Sequence, residues 1–307
     1  MKAKASVILS FLFMVIFIPS LYAVSVTSNS WSYFASIAGA YTPGTGQQLV
    51  DIQINANPAL NILTATSTLV LNNNRADLRI RGYNGGGVGQ GATINGSDSR
   101  ATLGIIVVGN NSNVTLNTLQ FLNGHTTGSG GGVSVVGSAS TLRISLGIFT
   151  GNTAVNYGGG LYLASAVTQP DVDIIDVYST FDSNIAGSGG GFAILGGSIT
   201  VHSESSTYTN NSSVSSSGGG GAIYAAAGTT VTFSSLTNNI SGGKGIVNTY
   251  VAFTSNTAAN DGGAIYNSGL MSMILNTTAE FIGNSAAYGG AIYNAAGGVF
   301  NIGDADF

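Results

Sequence analysis

The residues best equipped for chemistry lie in the middle of the chain. Asp171, Asp173 and Asp176 fall within one short run, Pro170-Asp-Val-Asp-Ile-Ile-Asp176, and Asp182 follows shortly after. On a β-strand alternate side chains share a face, so Asp171 and Asp173 would stand together. A carboxylate pair of that kind could serve acid–base cleavage of a glycosidic bond or the binding of calcium. Work on an acidic glycan also needs a cation, and no Arg or Lys lies within 25 residues of Asp171, Arg143 being the nearest. His125 and His202 stand in settings that read as loops, away from any carboxylate pair, although Glu204 neighbours the second. Arg75, Arg79 and Arg81 form the single basic cluster, with Asp77 among them, and read as a solvated strand face. Gly85–Gly91 is glycine-rich, but no helix or βαβ unit surrounds it, so it reads as a turn and not as a nucleotide cradle. No catalytic, cofactor-binding or metal-ligating residue is therefore expected.

The elements that would position such groups are short. Only 7 % of the residues are charged, against about 25 % in an ordinary domain, and 44 % are hydrophobic. Such a chain has too much apolar surface to stay unfolded in water. Its 46 glycines belong mostly in turns, because glycine inside a strand or helix is unfavourable by about 0.5–1 kcal/mol. Runs such as Ser67-Thr-Leu-Val-Leu71, Leu78-Arg-Ile-Arg81, Ile105-Ile-Val-Val108 and Val114-Thr-Leu-Asn-Thr-Leu-Gln-Phe121 alternate or stay apolar as strands do. The four prolines stand outside the repeat strands, leaving the ladder hydrogen bonds free to run on.

The N-terminus reads as a cleaved secretory signal: Lys2 and Lys4, an apolar stretch from Val7 to Ile18, and a cleavage site within Pro19-Ser-Leu-Tyr-Ala23. The apolar stretch is short for a membrane span, which needs about 20 residues. Without Lys2 and Lys4 the chain carries six basic and twelve acidic side chains, a net charge of −6 that argues against a nucleic-acid partner. There is no cysteine, so a secreted form must hold together by packing alone.

From the middle onward a paired motif recurs. An aromatic residue precedes an asparagine by three positions, and a glycine pair with an apolar run follows. The copies are Phe149-Thr-Gly-Asn152 with Gly158-Gly-Gly-Leu161, Phe181-Asp-Ser-Asn184 with Gly189-Gly-Gly-Phe192, and Tyr208-Thr-Asn-Asn211 with Gly220-Gly-Ala-Ile223. Phe253-Thr-Ser-Asn256 then pairs with Gly262-Gly263-Ala-Ile265, and Phe281-Ile-Gly-Asn284 with Gly289-Gly290-Ala-Ile292. A degenerate copy, Phe121-Leu-Asn-Gly124 with Gly130-Gly-Gly-Val133, opens the series. The aromatic spacings are 28, 32, 27, 45 and 28 residues, and the long interval is read as hiding one degenerate coil. Such a period marks stacked repeats. It predicts an all-β fold, a right-handed parallel β-helix of the pectin-lyase-like solenoid class with about nine or ten coils. The expected organisation is a signal over 1–23, an N-terminal lead-in and cap over 24–60, and the β-helix over 61–307, with repeats from about 121. The aromatics should stack in a core column, the asparagines should form an amide ladder at a left-handed turn, and the glycine pair should admit positive φ and close approach of coils. Tyr162, Tyr224, Tyr266 and Tyr293 follow the apolar position and by alternation face outward, either as ordinary sheet-face residues or as a binding stripe.

The FxxN and GGA[ILV] copies resemble the repeats of the chlamydial polymorphic membrane proteins and similar polymorphic outer-membrane-repeat proteins. The resemblance covers about residues 121–307. It implies the β-helical passenger of an autotransporter, displayed outside the cell and anchored by a C-terminal barrel, with a role in adhesion to host cells. No barrel strands occur in this sequence, which reaches Phe307 where the next aromatic is due, so a passenger part or a free relative is expected. The expected location is secreted, at the cell surface or outer membrane, with a protein or glycan surface ligand as partner and end-to-end self-association through unpaired rod ends. The competing readings are a secreted polysaccharide-active enzyme, a chemistry that right-handed β-helices also carry, and a purely structural surface protein.

Overall fold

Short apolar runs broken by glycine and asparagine form strands whose partners must lie a full coil away. The structure is a computed structural model. It describes residues 22–26, 31–39, 49–56, 62–72, 77–84, 92–96, 104–138, 140–164, 171–234, 237–240, 243–246, 249–273 and 277–302. Among these residues every strand pairing but one is parallel. A long sheet of fourteen strands carries ten on its main path, from Tyr22–Val26 to Val299–Ile302. A second sheet stacks eight strands, from Leu69–Leu71 to Ile292–Asn294, and a third stacks five, from His125–Thr126 to Thr257–Ala258.

Each complete coil visits all three sheets. Thr141–Thr150, Thr153–Ala154 and Leu161–Leu163 form one such coil, and each pairs with its counterpart in the next: Asp171–Asp182, Ile185–Ala186 and Phe192–Ile194. The five strands of the third sheet and the Thr257↔Ser285 bridge mark six complete coils, one per motif copy. The molecule is an all-parallel solenoid consistent with a right-handed β-helix. Its second sheet, eight strands at about 4.8 Å spacing, gives a rod of roughly 35 Å.

The nine or ten coils expected from sequence exceed this, and the 45-residue interval is one reason. Ser198–Thr209 pairs with Thr230–Ser234 along its first half and with Thr249–Thr254 along its second. Residues 203 and 204 join the two halves on one side. On the other, Thr237–Ile240 and Gly243–Ile246 pair antiparallel as a separate two-stranded sheet, and Thr249–Thr254 resumes the same rung. The long interval therefore holds one coil with an excursion, not two coils.

Inside, alternation fills the core. Leu142, Ile144 and Phe149 of one coil stack in register on Val114, Leu116 and Phe121 below, and Phe181 continues the stack above Phe149. Long-sheet strands turn a corner midway: Thr118 (φ 52) and Leu146 (φ 55) take left-handed backbone conformations at matching places in adjacent coils. Like the hairpin, the helix Trp31–Gly39 has no counterpart in the sequence reading. It buries Trp31, Phe34 and Ala38, and Trp31 Nε1 donates to Ser67 Oγ at 3.0 Å. Residues 1–21 of the expected signal, Arg75 and Gly85–Gly91 lie outside the described residues.

Candidate interaction surface

The recurring turn builds its own scaffold. Phe121, Phe149, Phe181, Tyr208, Phe253 and Phe281 form one stacked column, with ring centroids 5.1, 4.7, 5.2, 4.9 and 4.8 Å apart and planes within 18° of parallel. Phe192 and Phe233 meet the column edge-on. Beside it runs the amide ladder. Asn152 Nδ2 donates to Asn184 Oδ1 at 2.9 Å, Asn184 to Asn211, Asn211 to Asn256 and Asn256 to Asn284, each at 3.0 Å. Each Oδ1 in this chain also accepts the preceding asparagine's backbone N–H at 2.9–3.1 Å. Each Nδ2 donates a second bond to the carbonyl of the preceding coil's aromatic residue, as Asn211 does to Phe181 at 2.8 Å. Asn152, Asn184, Asn211 and Asn256 are fully buried, so this pairing offsets the desolvation of their amides.

The left-handed position of the turn is not the ladder asparagine. It is the residue before it, Gly151, Ser183, Asn210, Ser255 and Gly283, and in the degenerate first copy Asn123 before Gly124, with φ between 51 and 64. The asparagines are there for hydrogen bonding and burial, while the strained backbone sits one residue earlier. The two glycines also divide their work. Gly189 has φ +64, whereas Gly190 lacks positive φ and is needed for space: a Cβ there would lie 2.5 Å from the Gly221 carbonyl oxygen of the next coil.

The four tyrosines stand on the second sheet. In register the column reads Ser134, Tyr162, Ala193, Tyr224, Tyr266, Tyr293. Tyr224 and Tyr266 stack at 5.0 Å and 9°, and Tyr266 and Tyr293 at 5.6 Å and 17°. Ala193 would break the run, but Tyr157 bridges it, 6.3 Å from Tyr162 and 5.7 Å from Tyr224. The sequence reading missed Tyr157, which precedes a glycine pair where four other copies carry Ser129, Ser188, Gly219 and Asp261 and the last carries Tyr288. All five rings are half-buried. Burial raises the phenol pKa of Tyr162, Tyr224 and Tyr266; at Tyr162 a hydrogen bond with Ser129 opposes it, and at Tyr266 the Asp261 charge adds to it. Rings stacked on one another spend their faces internally and offer solvent a row of phenol edges. A sugar ring, which seeks an aromatic face, finds little platform along this stripe.

The other polar candidates are scattered. Asp171, Asp173 and Asp176 lie on Asp171–Asp182, whose backbone is described while the side chains of residues 171–179 are not. The exposed Arg143, distant in sequence, is the register partner of Asp173 on the adjacent rung. Asp182 accepts from Asn210 Nδ2 at 3.3 Å and Ser183 Oγ at 3.1 Å. His125 and His202 are not in loops: His125 opens the strand His125–Thr126, exposed, and His202 lies within Ser198–Thr209. Arg79 and Arg81 lie half-buried on Asp77–Asn84. Among the described residues no three His, Asp or Glu side chains gather as a metal site, and no helix is long and apolar enough to cross a membrane.

Comparison with known proteins touches only the last full coils. No curated protein and no solved structure matches the chain. Residues 250–268 and 278–295 match the Chlamydia polymorphic membrane protein repeat, so this stretch of the solenoid is similar to that repeat.

Proposed function

We propose that this chain is a surface-displayed attachment rod, the passenger part of a polymorphic outer-membrane, autotransporter-like adhesin that is secreted and held at the cell surface. The observation that carries this reading is the match of two consecutive coils to the polymorphic membrane protein repeat. The lateral stripe Tyr162–Tyr157–Tyr224–Tyr266–Tyr293 supports it, because tyrosines that are apolar along the ring and polar at the edge are enriched at protein interfaces. The ligand that fits a row of ring edges is a protein surface with apolar and hydrogen-bonding groups, engaged along the rod and not in a pocket. The reading assigns the chain a binding role and no catalysis.

Two measurements test this. On intact cells of the source organism, antibody raised to the rod should label the surface, and external protease should abolish the label. Purified rod immobilised on beads should bind host cells, and Tyr224→Ser/Tyr266→Ser should reduce binding while the circular dichroism spectrum is retained. Label that appears only after cell lysis, or binding indifferent to the tyrosines, overturns the corresponding half of the proposal.

A further inference from the structure

The stacked tyrosines also form a site of covalent modification. We infer that one-electron oxidation joins Tyr224 to Tyr266, and Tyr266 to Tyr293, as dityrosine, stapling consecutive coils of a chain that has no cysteine. This is independent of what the stripe binds.

The chemistry needs two phenols held side by side, each able to lose an electron and a proton. Tyr224 and Tyr266 meet this at 5.0 Å and 9°, and Tyr266 and Tyr293 at 5.6 Å and 17°, held there by the parallel register of their strands. Half-burial leaves the ring edges open to solvent, which takes the protons. The oxidant is hydrogen peroxide acting through a peroxidase. Each phenol gives up one electron and its hydroxyl proton, and the two phenoxyl radicals join through their ortho carbons. The hydrogens on those carbons then return to the phenol oxygens. One peroxide takes up the two electrons and two protons and leaves as two waters, so each cross-link lowers the mass of the chain by two hydrogen atoms.

The inner column cannot do the same. Its members are phenylalanines apart from Tyr208, which stacks between Phe181 and Phe253 and so has no phenol against either face. The Tyr208 hydroxyl is fully buried and has no hydrogen-bond partner, so its proton has nowhere to go. The two columns, one inside and one outside the same coils, thus differ in oxidative chemistry by residue type and by access.

The test treats the dilute full-length chain with a peroxidase and hydrogen peroxide and maps the cross-linked peptides by mass spectrometry, with dityrosine fluorescence as the bulk signal. The expected result is peptides joining Tyr224 to Tyr266 and Tyr266 to Tyr293, in a yield independent of protein concentration. Tyr266→Phe, which keeps the ring and the stack, should drop both products to background, whereas Tyr208→Phe should leave them unchanged. The same reaction in urea should lose these pairings, since only the fold holds the rings together. The proposal is overturned if the yield scales with concentration and centres on Tyr288, the most exposed of the described tyrosines (64 %), or if Tyr266→Phe leaves the signal intact.

Discussion

Tyr208 lies face to face with Phe253, ring centroids 4.9 Å apart and planes 12° from parallel, although 45 residues separate them. Neighbouring members of the column are separated by 27, 28 or 32 residues and stack at the same distance. The column is therefore blind to what the chain does between rungs, and the antiparallel pair Thr237–Ile240 and Gly243–Ile246, inserted between Thr230–Ser234 and Thr249–Thr254, does not disturb it. Replacing residues 235–248 with a two-residue link should reproduce the continuous strand seen at residues 203 and 204. Circular dichroism and the unfolding midpoint should stay close to those of the parent chain. A collapse of either would mean that the hairpin holds the rung together.

Tyr208 is also the one column member with a hydroxyl, and that hydroxyl is buried without a partner. An unsatisfied buried donor costs about 1–3 kcal/mol, so Tyr208→Phe should stabilise the solenoid by that order in urea unfolding. A loss of stability would reveal a hidden partner for the phenol.

Alkaline pH should expose the same group. Burial holds the Tyr208 phenol far above its ordinary value of 10.0, so the folded chain keeps its proton while the unfolded chain releases it. Stability is then undiminished below pH 10 and falls as pH rises beyond it, by about 1.4 kcal/mol per pH unit for one such group. Denaturation curves between pH 9 and pH 11 should show the slope, and Tyr208→Phe should flatten it. An equal slope in both proteins would assign it to other tyrosines.

The glycine pair yields a contrast between space and conformation. Gly190→Ala forces a Cβ to within 2.5 Å of the Gly221 carbonyl and 2.6 Å of the Asn184 carbonyl, backbone atoms that cannot swing aside. Overpacking of that kind costs about 1–3 kcal/mol or more. Gly228→Ala meets no atom within 4 Å and bears only the strain of φ +78, about 1–2 kcal/mol. Thermal unfolding should rank Gly190→Ala as the more damaging, and the reverse order would put conformation ahead of crowding.

Along the ladder, Asn211→Ala should destabilise more than Asn284→Ala. Asn211 is fully buried and bonded on both sides, and its removal leaves the Asn184 amide and the Phe181 carbonyl short of partners, at about 1–3 kcal/mol for each unsatisfied group. Asn284 is half-buried at the last described rung of the ladder, where water can replace it. Chemical denaturation of the two variants checks the order.

The repeat was legible because each coil solves the same packing problem. An inward aromatic, a bonded asparagine and a glycine without room for a side chain recur wherever rungs meet, so the fold class follows from their spacing. What stayed hidden is what the rung does not constrain. The hairpin after Ser234 occupies a place where the next strand needs only to return in register, so its length carries no signature. Trp31–Gly39 is short, with only Trp31, Phe34 and Ala38 to mark a helical face amid serine and glycine. Tyr157 fills the gap at Ala193 from a different position in its own coil, and Arg143 comes beside Asp173 through register alone. The assignment of left-handed geometry to the asparagines was off by one residue, because amide burial and backbone strain are separate demands that adjacent positions meet.

The asparagine ladder has a direction. From Asn152 to Asn256 every Nδ2 points toward the coil that follows and every bonded Oδ1 toward the coil before. The side-chain amides therefore add head to tail into an axial dipole running the length of the repeats, as peptide units do in a helix. A rod extended coil by coil toward its C-terminus therefore presents amide donors that the asparagine of each added coil takes over from water. A chain emerging from its N-terminal end delivers those asparagines in order, one rung at a time.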